Sequence, residues 1–114
     1  PMRKLLYPFL FVFTITACNN KHKSVNFAII SDIHHDIMHD GEERLQAFIN
    51  TANENNVDFI IDLGDFCFAK DSNRPFLNIW NGFTKDKYHV LGNHDMDICS
   101  KDEYVNFTGM PARY

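Results

Sequence analysis

The stretch "VNFAIISDIHHD", Val25 to Asp36, decides the fold, because an apolar run passes directly into a group of aspartates and histidines. The first half of the stretch has the largely apolar character of a buried strand. Asp32 and His34, in D-x-H spacing, follow that strand without a break. Such a loop is either a solvated charged turn or a set of metal ligands, and the motif alone does not separate the two.

Two later segments carry the sequence pattern of a helix N-terminus. Asp40 with Glu43, and Ser100 with Glu103, each stand in the spacing of a capping box. After Asp40, apolar residues recur at i, i+3, i+4 and i+7, which predicts a helix with one buried face. The second box predicts a shorter helix that runs towards Phe107. The residues of the first helix's apolar face are Leu45, Phe48, Ile49 and Ala52.

Strand and helix patterns alternate along the rest of the chain. Residues 57–63 and 87–92 are apolar runs that predict two further buried strands. Between them, the apolar residues of 72–83 predict a short helix, and Pro75 is tolerated near its first turn. The order β-α-β-α-β predicts an α/β fold with a mostly parallel sheet and right-handed crossovers.

Polar residues follow each of the three predicted strands. Asp32 and His34 follow the first, Gly64 and Asp65 follow the second, and "GNHD", residues 92–95, follows the third. Because ligands bind beyond the carboxyl ends of parallel strands, we expect these loops to meet at one edge of the sheet. Three loops that are polar by coincidence explain this joint pattern less well than a metal site does.

In this order, the D-x-H, G-D and G-N-H-D motifs resemble those of the calcineurin-like metallophosphoesterases, and especially bacterial lipoprotein-like members. The match covers Val25 to Asp95, most of the chain that follows the leader described below. The resemblance implies a phosphoesterase domain over residues 25–114. It also implies that the βαβαβ unit is the front half of a longer two-sheet sandwich, with one sheet face left uncovered.

The resemblance further implies a site for two divalent metal ions. Asp32 and His34 would bind the first ion, Asp65 would bridge both, and Asn93 would bind the second through its amide oxygen. Carboxylate, imidazole and amide ligands suit Mn²⁺, Fe or Zn²⁺. Two such cations about 3.5–4 Å apart acidify the water between them, and the resulting metal-bridged hydroxide attacks phosphorus.

His94 and Asp95 are the catalytic candidates that the resemblance supplies. His94 would stabilise the developing charge or protonate the leaving group, and Asp95 would orient His94. The neighbouring polar residues are expected to serve the loops, the surface or the core instead. They are His35, Asp36, His39, Asp62 and His89. Four aromatic residues are expected to pack in the core rather than to form a platform on which a base stacks. They are Phe59, Phe66, Phe68 and Trp80.

The chain departs from the family pattern in one respect. The family completes its site with three more histidines, two of them in a G-H-x-H motif, whereas no histidine follows His94 here. The second metal therefore has two candidate ligands, Asp65 and Asn93. One hypothesis is that this chain is the N-terminal part of a phosphoesterase and is inactive alone. The alternative is a non-catalytic surface lipoprotein that keeps the fold for binding.

The first residues have the order of a bacterial lipoprotein leader. A short basic segment and an apolar run end in "ITAC", residues 15–18. This predicts a signal peptide over residues 1–17, lipidation of Cys18 and a polar tether over 18–24. The protein would then be exported and lipid-anchored in the bacterial envelope, on the periplasmic or cell-surface side. A plain secretory signal or an anchor helix would give a similar pattern.

Composition limits the remaining functions. The 114 residues carry a net charge of −4, with no Lys/Arg stripe, so nucleic acid is not an expected partner. A phosphorylated small molecule is the expected substrate. No glycine-rich nucleotide fingerprint follows the first strand. Cys67 and Cys99 either pair in a disulfide, which an exported compartment permits, or act as small buried hydrophobes.

Overall fold

A computed structural model describes residues 23–111. The predicted signal peptide, Cys18 and the first part of the tether lie outside these residues. The elements of the described part are β1 (Phe27–Ile30), α1 (Gly41–Glu54), β2 (Phe59–Asp62), α2 (Arg74–Asn81), β3 (Asp86–His89) and α3 (Lys101–Thr108). A 3₁₀ turn, Asp71–Asn73, leads into α2. No helix within residues 23–111 has the length and apolar character to cross a membrane.

The three strands form one parallel sheet in the order β1-β2-β3. The register aligns Ile30 with Asp62, and Asp62 with His89. All three strands therefore end at the same level, and the loops that follow them start side by side. The α/β architecture with a parallel sheet, predicted from the alternating patterns, is confirmed.

One face of the sheet carries the hydrophobic core. Ile60 points from the central strand towards α1 and α2 and is fully buried. The helices meet it with apolar residues at helical spacing, as predicted for α1. Burial of each such side chain contributes about 1.5–3 kcal/mol. The buried residues that share this core with Ile60 include Leu45, Ile49, Phe66, Phe76, Leu77, Trp80 and Phe83.

The opposite face of the sheet is also apolar, but it stays open in the described part of the chain. Phe27 is 50% exposed and Ile29 49% exposed. The Phe27 ring stacks on Phe59 with centroids 5.1 Å apart, and Phe59 meets Tyr88 edge to face. The uncovered face that the resemblance implied is therefore present within residues 23–111. It also corrects the position of Phe59, which lies on this half-open face rather than in the core. Phe68 is likewise only partly buried and lies outside the core cluster.

The two predicted capping boxes have different outcomes. Ser100 accepts a hydrogen bond from the Glu103 backbone N–H, and the Glu103 carboxylate accepts one from the Ser100 N–H, which confirms the second box. Asp40 makes no side-chain capping bond at the start of α1, so that prediction was wrong. The Asp40 carboxylate instead lies 3.3 Å from the Arg44 guanidinium, one turn along the helix. The Asp40 backbone, with φ of −105° and ψ of 12°, is also outside the extended conformation that a capping residue usually adopts.

Replacing Ser100 with alanine is expected to lower the free energy of unfolding by about 1 kcal/mol, because the Glu103 backbone N–H loses the hydroxyl that caps it and the Glu103 carboxylate loses a hydrogen bond from the same hydroxyl. Asp40→Ala is the matched comparison. It should cost less, about 0.3–0.5 kcal/mol, since it removes a partly exposed i,i+4 ion pair and no capping bond. Urea unfolding of both variants measures the difference, and equal losses would contradict the assignment of the caps.

Candidate metal centre

The loops after β1 and β2 continue to pair where the strands end. The Asp32 N–H donates to the Gly64 carbonyl at 3.1 Å, and the His34 N–H donates to the Asp65 carbonyl at 2.9 Å. The His35 N–H extends the series to the Phe66 carbonyl. These bonds fix the D-x-H loop against the G-D loop, so the side chains of both loops are held at one edge of the sheet.

Three residues of these loops have left-handed backbone. Asp32, His34 and Asp65 have φ of 54°, 47° and 55°. This conformation costs roughly 1–2 kcal/mol for a residue with a Cβ, and such strain is concentrated at functional sites. Asn56 is the other non-glycine residue of the described chain with positive φ. The strain therefore coincides with the residues that the motifs selected as metal ligands.

The side chains of these three residues converge on one point. His34 Nε2 lies 3.8 Å from Asp32 Oδ1 and 3.7 Å from Asp65 Oδ2, and one ligand atom from each residue lies within 4.8 Å of the others. The two separations are too long for hydrogen bonds. They suit atoms that each lie about 2.0–2.2 Å from a shared cation. Two carboxylates and an imidazole therefore fit a divalent metal ion of the kind predicted.

Asp65 is held from the side of the third loop. Its Oδ1 accepts a hydrogen bond from the His94 backbone N–H at 2.8 Å. Gly92 lies so close that a Cβ there would collide with the Asp65 backbone and carboxylate. Gly64, with φ of +99°, would likewise meet the Gly92 backbone if it carried a side chain. The two glycines therefore let the G-D and G-N-H-D loops touch.

Asp95 is the buried centre of this arrangement. It is 1% exposed, and its carboxylate accepts hydrogen bonds from the backbone N–H groups of Asp65, Phe66 and Gly92 at 2.8–3.1 Å. The Tyr104 hydroxyl of α3 donates a fourth, at 2.8 Å. The predicted role of Asp95 as the partner of the His94 ring is therefore revised. Asp95 joins the two ligand loops to each other and to α3.

The His94 ring has a different partner. Its Nδ1 lies 2.8 Å from Asp97 Oδ2, and this hydrogen bond raises the pKa of His94. The ring of His94 is edge-on to that of His34, with centroids 5.6 Å apart. Sequence reasoning missed Asp97, although its position three residues after His94 was a usable signal. The imidazole is thus held beside the ligand cluster by a carboxylate from its own loop.

Asn93 lies on the exposed side of the same loop. The next residue, His94, bonds to Asp65, so Asn93 is carried close to the edge where the cluster lies. Within residues 23–111 the cluster of His, Cys, Asp and Glu ligands contains Asp32, His34 and Asp65. A second cation would therefore have Asp65 and Asn93 as the predicted protein ligands in the described chain.

Asp62 and His89 form a buried pair beneath the centre. Asp62 Oδ2 lies 3.1 Å from His89 Nδ1, and Asp62 Oδ1 accepts from the Gly64 N–H. Burial raises the pKa of Asp62, while the hydrogen bond with His89 opposes this effect. The His89 ring packs against Trp80 and Phe66. Both residues are structural, as predicted, and Asp62 supports the turn that carries Asp65.

Asp36 fastens the first loop to the segment after β2. Its carboxylate accepts from the Phe68 N–H at 2.6 Å, from Asn73 at 2.8 Å and from Lys70 at 3.0 Å. Burial alone would raise the pKa of Asp36, but these hydrogen bonds outweigh it and lower the pKa. Asp36 is therefore a loop residue, as expected.

The other polar candidates lie away from the ligand cluster. The His35 ring stacks on Phe76 with centroids 4.1 Å apart, and His39 is exposed. Cys67 is buried and Cys99 is partly buried, and both are free thiols. The cysteines therefore follow the interpretation as small hydrophobes rather than as a disulfide.

The sequence profile of the calcineurin-like phosphoesterases matches residues 25–114. The chain belongs to this family. A solved structure with a similar fold, a dimetal phosphatase from zebrafish (Danio rerio), has a TM-score of 0.58 and 15% sequence identity. The alignment covers 72% of this chain and 33% of that one, so the chain spans about a third of the zebrafish protein. No curated protein sequence matches the chain.

The family membership accounts for the arrangement of the elements. The three-stranded parallel sheet and its helices correspond to the front half of a metallophosphoesterase fold, as the resemblance implied. Divalent metal ions are the cofactors that the family and the ligand cluster both indicate.

Proposed function

We propose that the protein hydrolyses a phosphate ester or a pyrophosphate in a metal-dependent reaction, with this chain as the N-terminal part of the site. The observation that carries the proposal is the convergence of Asp32, His34 and Asp65, all on left-handed backbone, at the edge where parallel strands end. Strained backbone is maintained where a structure needs particular side-chain positions. Membership of the calcineurin-like phosphoesterases supports the same reaction.

The residues of the site divide between holding metal and handling substrate. Asp32, His34 and Asp65 would hold one divalent ion, and Asp65 and Asn93 would contribute to a second; Mn²⁺, Fe or Zn²⁺ suits this donor set. Bound cations of this type acidify water and neutralise charge on a phosphoryl group. The neutral amide of Asn93 can accept a cation without adding to the negative charge that repels phosphate.

His94 is placed to act on the substrate. Its ring lies beside the cluster, and the hydrogen bond with Asp97 leaves Nε2 as the nitrogen that can face a bound phosphate. In the protonated form, which the raised pKa favours, Nε2–H donates to a phosphoryl oxygen or to the departing alcohol. Asp97 rather than Asp95 is proposed to fix the ring for this step.

A non-catalytic binding protein is the second candidate. The limited donor set for a second cation within residues 23–111 favours it, because phosphoryl transfer in two-metal sites needs both ions to be held. Calorimetric titration with Mn²⁺ separates the candidates. Two tight sites in the full-length protein favour the enzyme, whereas one weak site and no turnover with excess Mn²⁺ favour the binding protein.

Removal of metal is expected to abolish hydrolysis of p-nitrophenyl phosphate and bis-p-nitrophenyl phosphate by the full-length protein. The metal is removed by dialysis against a chelator, and Mn²⁺ is then titrated back. The rate should return with Mn²⁺, because the carboxylates and the imidazole of the ligand cluster are then free to bind the cation again. Release of p-nitrophenol gives the rate. Activity that persists unchanged in the chelator would overturn the proposed function.

We also propose an envelope location, with lipid on Cys18 as the anchor. The support is the leader pattern of residues 1–18, in which a basic segment and an apolar run precede "ITAC". Metabolic labelling with a fatty acid, compared between the natural protein and Cys18→Ser, tests the proposal. Equal labelling of the two forms would contradict it.

A further inference from the structure

A small open pocket adjoins the metal-ligand cluster. His34 and Asp65 line it on the cluster side together with His94, so a phosphate held at the cluster would reach into its mouth. Its other walls come from the loops after β1 and β2 and from Asp95 in the loop after β3. The chemistry of those walls determines which group attached to the phosphate can be accommodated.

The polar residues of these other walls already have partners. Asp36 accepts from three donors, and Asp95 accepts from four. Neither carboxylate is therefore free to accept a hydrogen bond from a hydroxyl-rich substrate. An incoming hydroxyl would have to displace an existing hydrogen bond. Among the described lining residues, the polar groups that remain are those of the cluster side.

The remaining wall residues are apolar. Ile37 and Phe68 line the pocket together with the buried Cys67. Ile37 is 66% exposed, and its N–H bonds to the His34 carbonyl at 2.8 Å, which fixes Ile37 relative to a metal ligand. Lys70 Nζ lies 4.8 Å from the centre of the Phe68 ring. A single exposed isoleucine is ordinary on a protein surface. Ile37, however, lines the pocket together with the aromatic ring of Phe68.

We propose that the apolar wall of this pocket, formed by Ile37 and Phe68, packs against the apolar body of a phosphate ester's leaving group, so that the substrate is an ester of an apolar alcohol. The proposal rests on the proposed function and names its substrate class. The phosphate occupies the polar side formed by His34, Asp65 and His94. The apolar group covers Ile37 and Phe68 and removes their surface from water, which favours binding in proportion to the area buried.

The test compares benzyl phosphate with glycerol 3-phosphate in the Mn²⁺-loaded full-length protein. Both are esters of primary alcohols, so their intrinsic reactivities are similar and the ratio of kcat/KM reports the pocket. Ile37→Ser should lower the preference for the benzyl ester by roughly threefold to tenfold, and Ile37→Phe should raise it. Ile98→Ser, a substitution at an isoleucine that is 52% exposed outside the pocket, should leave the ratio unchanged.

Binding of phenylphosphonate and methylphosphonate, measured by calorimetry, tests the pocket without turnover. Tighter binding of the phenyl compound supports the proposal if the difference in affinity between the two compounds is smaller in Ile37→Ser. This result supports the apolar wall even if neither ester is hydrolysed. In that case the proposed function alone fails. Equal binding of the two phosphonates, a preference for the glycerol ester, or an equal change in Ile98→Ser would overturn the apolar pocket.

Discussion

Asp65→Asn is expected to lower kcat/KM of the full-length protein for p-nitrophenyl phosphate by more than about a hundredfold. The reason is that Asp65 belongs to the cluster with Asp32 and His34 and is also the predicted bridge to a second cation. Asparagine keeps the shape but loses the negative charge. Loss of a partner that merely orients a metal ligand already costs 10–100-fold, so loss of a ligand costs more. Steady-state kinetics with saturating Mn²⁺ measure the effect.

Asp86→Asn is the control for this experiment. Asp86 is an exposed aspartate at the start of β3, at the opposite end of the strands from the cluster. The same change of charge there should leave kcat/KM within a factor of two or so, as for most surface substitutions. If Asp65→Asn retained full activity while its Mn²⁺ affinity was unchanged, Asp65 would not be a metal ligand.

Asp95→Asn is expected to have the largest effect on stability, a loss of ~3–5 kcal/mol in the free energy of unfolding. Its carboxylate accepts four hydrogen bonds in a site that is 1% exposed. In asparagine an NH₂ group replaces one carboxylate oxygen. That group cannot accept the two hydrogen bonds the oxygen received, and its own N–H groups would face the former donors. Each buried donor left unsatisfied costs about 1–3 kcal/mol, and removal of the charge weakens the remaining bonds. Urea unfolding gives the value.

Asp97→Asn gives the matched comparison from the same loop. The Asp97 side chain is 43% exposed, so the free energy of unfolding should change by less than about 0.5 kcal/mol. The activity should nevertheless fall, because Asp97 fixes the His94 ring. The two variants thus separate a residue that holds the loops together from one that positions the His94 ring. A similar loss of stability in both would contradict this division.

The fold and the meeting of Asp32, His34 and Asp65 were predictable because each depends on local sequence. Short apolar runs rich in β-branched residues indicated the strands. In a parallel sheet, the residues that follow each strand lie at the same edge. Asp32, His34 and Asp65 meet for that reason. The ends of the elements were less predictable: β3 is Asp86–His89 rather than 87–92, because Val90 and Leu91 already belong to the loop that reaches the site.

The contacts that sequence reasoning missed depend on how distant segments approach. Nothing near Asp95 indicates that Tyr104, nine residues later on α3, donates to it. The spacing of Asp40 and Glu43 satisfied the capping pattern, yet the backbone of Asp40 is not extended as a capping residue requires, and its carboxylate lies beside Arg44 instead. Local patterns therefore predicted which residues gather at the candidate metal centre, whereas the side chains that position those residues were visible only in three dimensions.

The convergence of three backbone amides on Asp95 has a kinetic consequence. The amide hydrogens of Asp65, Phe66 and Gly92 share one acceptor, so they can reach solvent only when that carboxylate is released. Their hydrogen–deuterium exchange should therefore slow and accelerate together, as one cooperative unit of local opening. Metal bound by Asp65 would slow all three at once, although Phe66 and Gly92 are not predicted ligands. The exchange rates of these three amides would then report whether metal is bound at the candidate metal centre, without the need for a substrate.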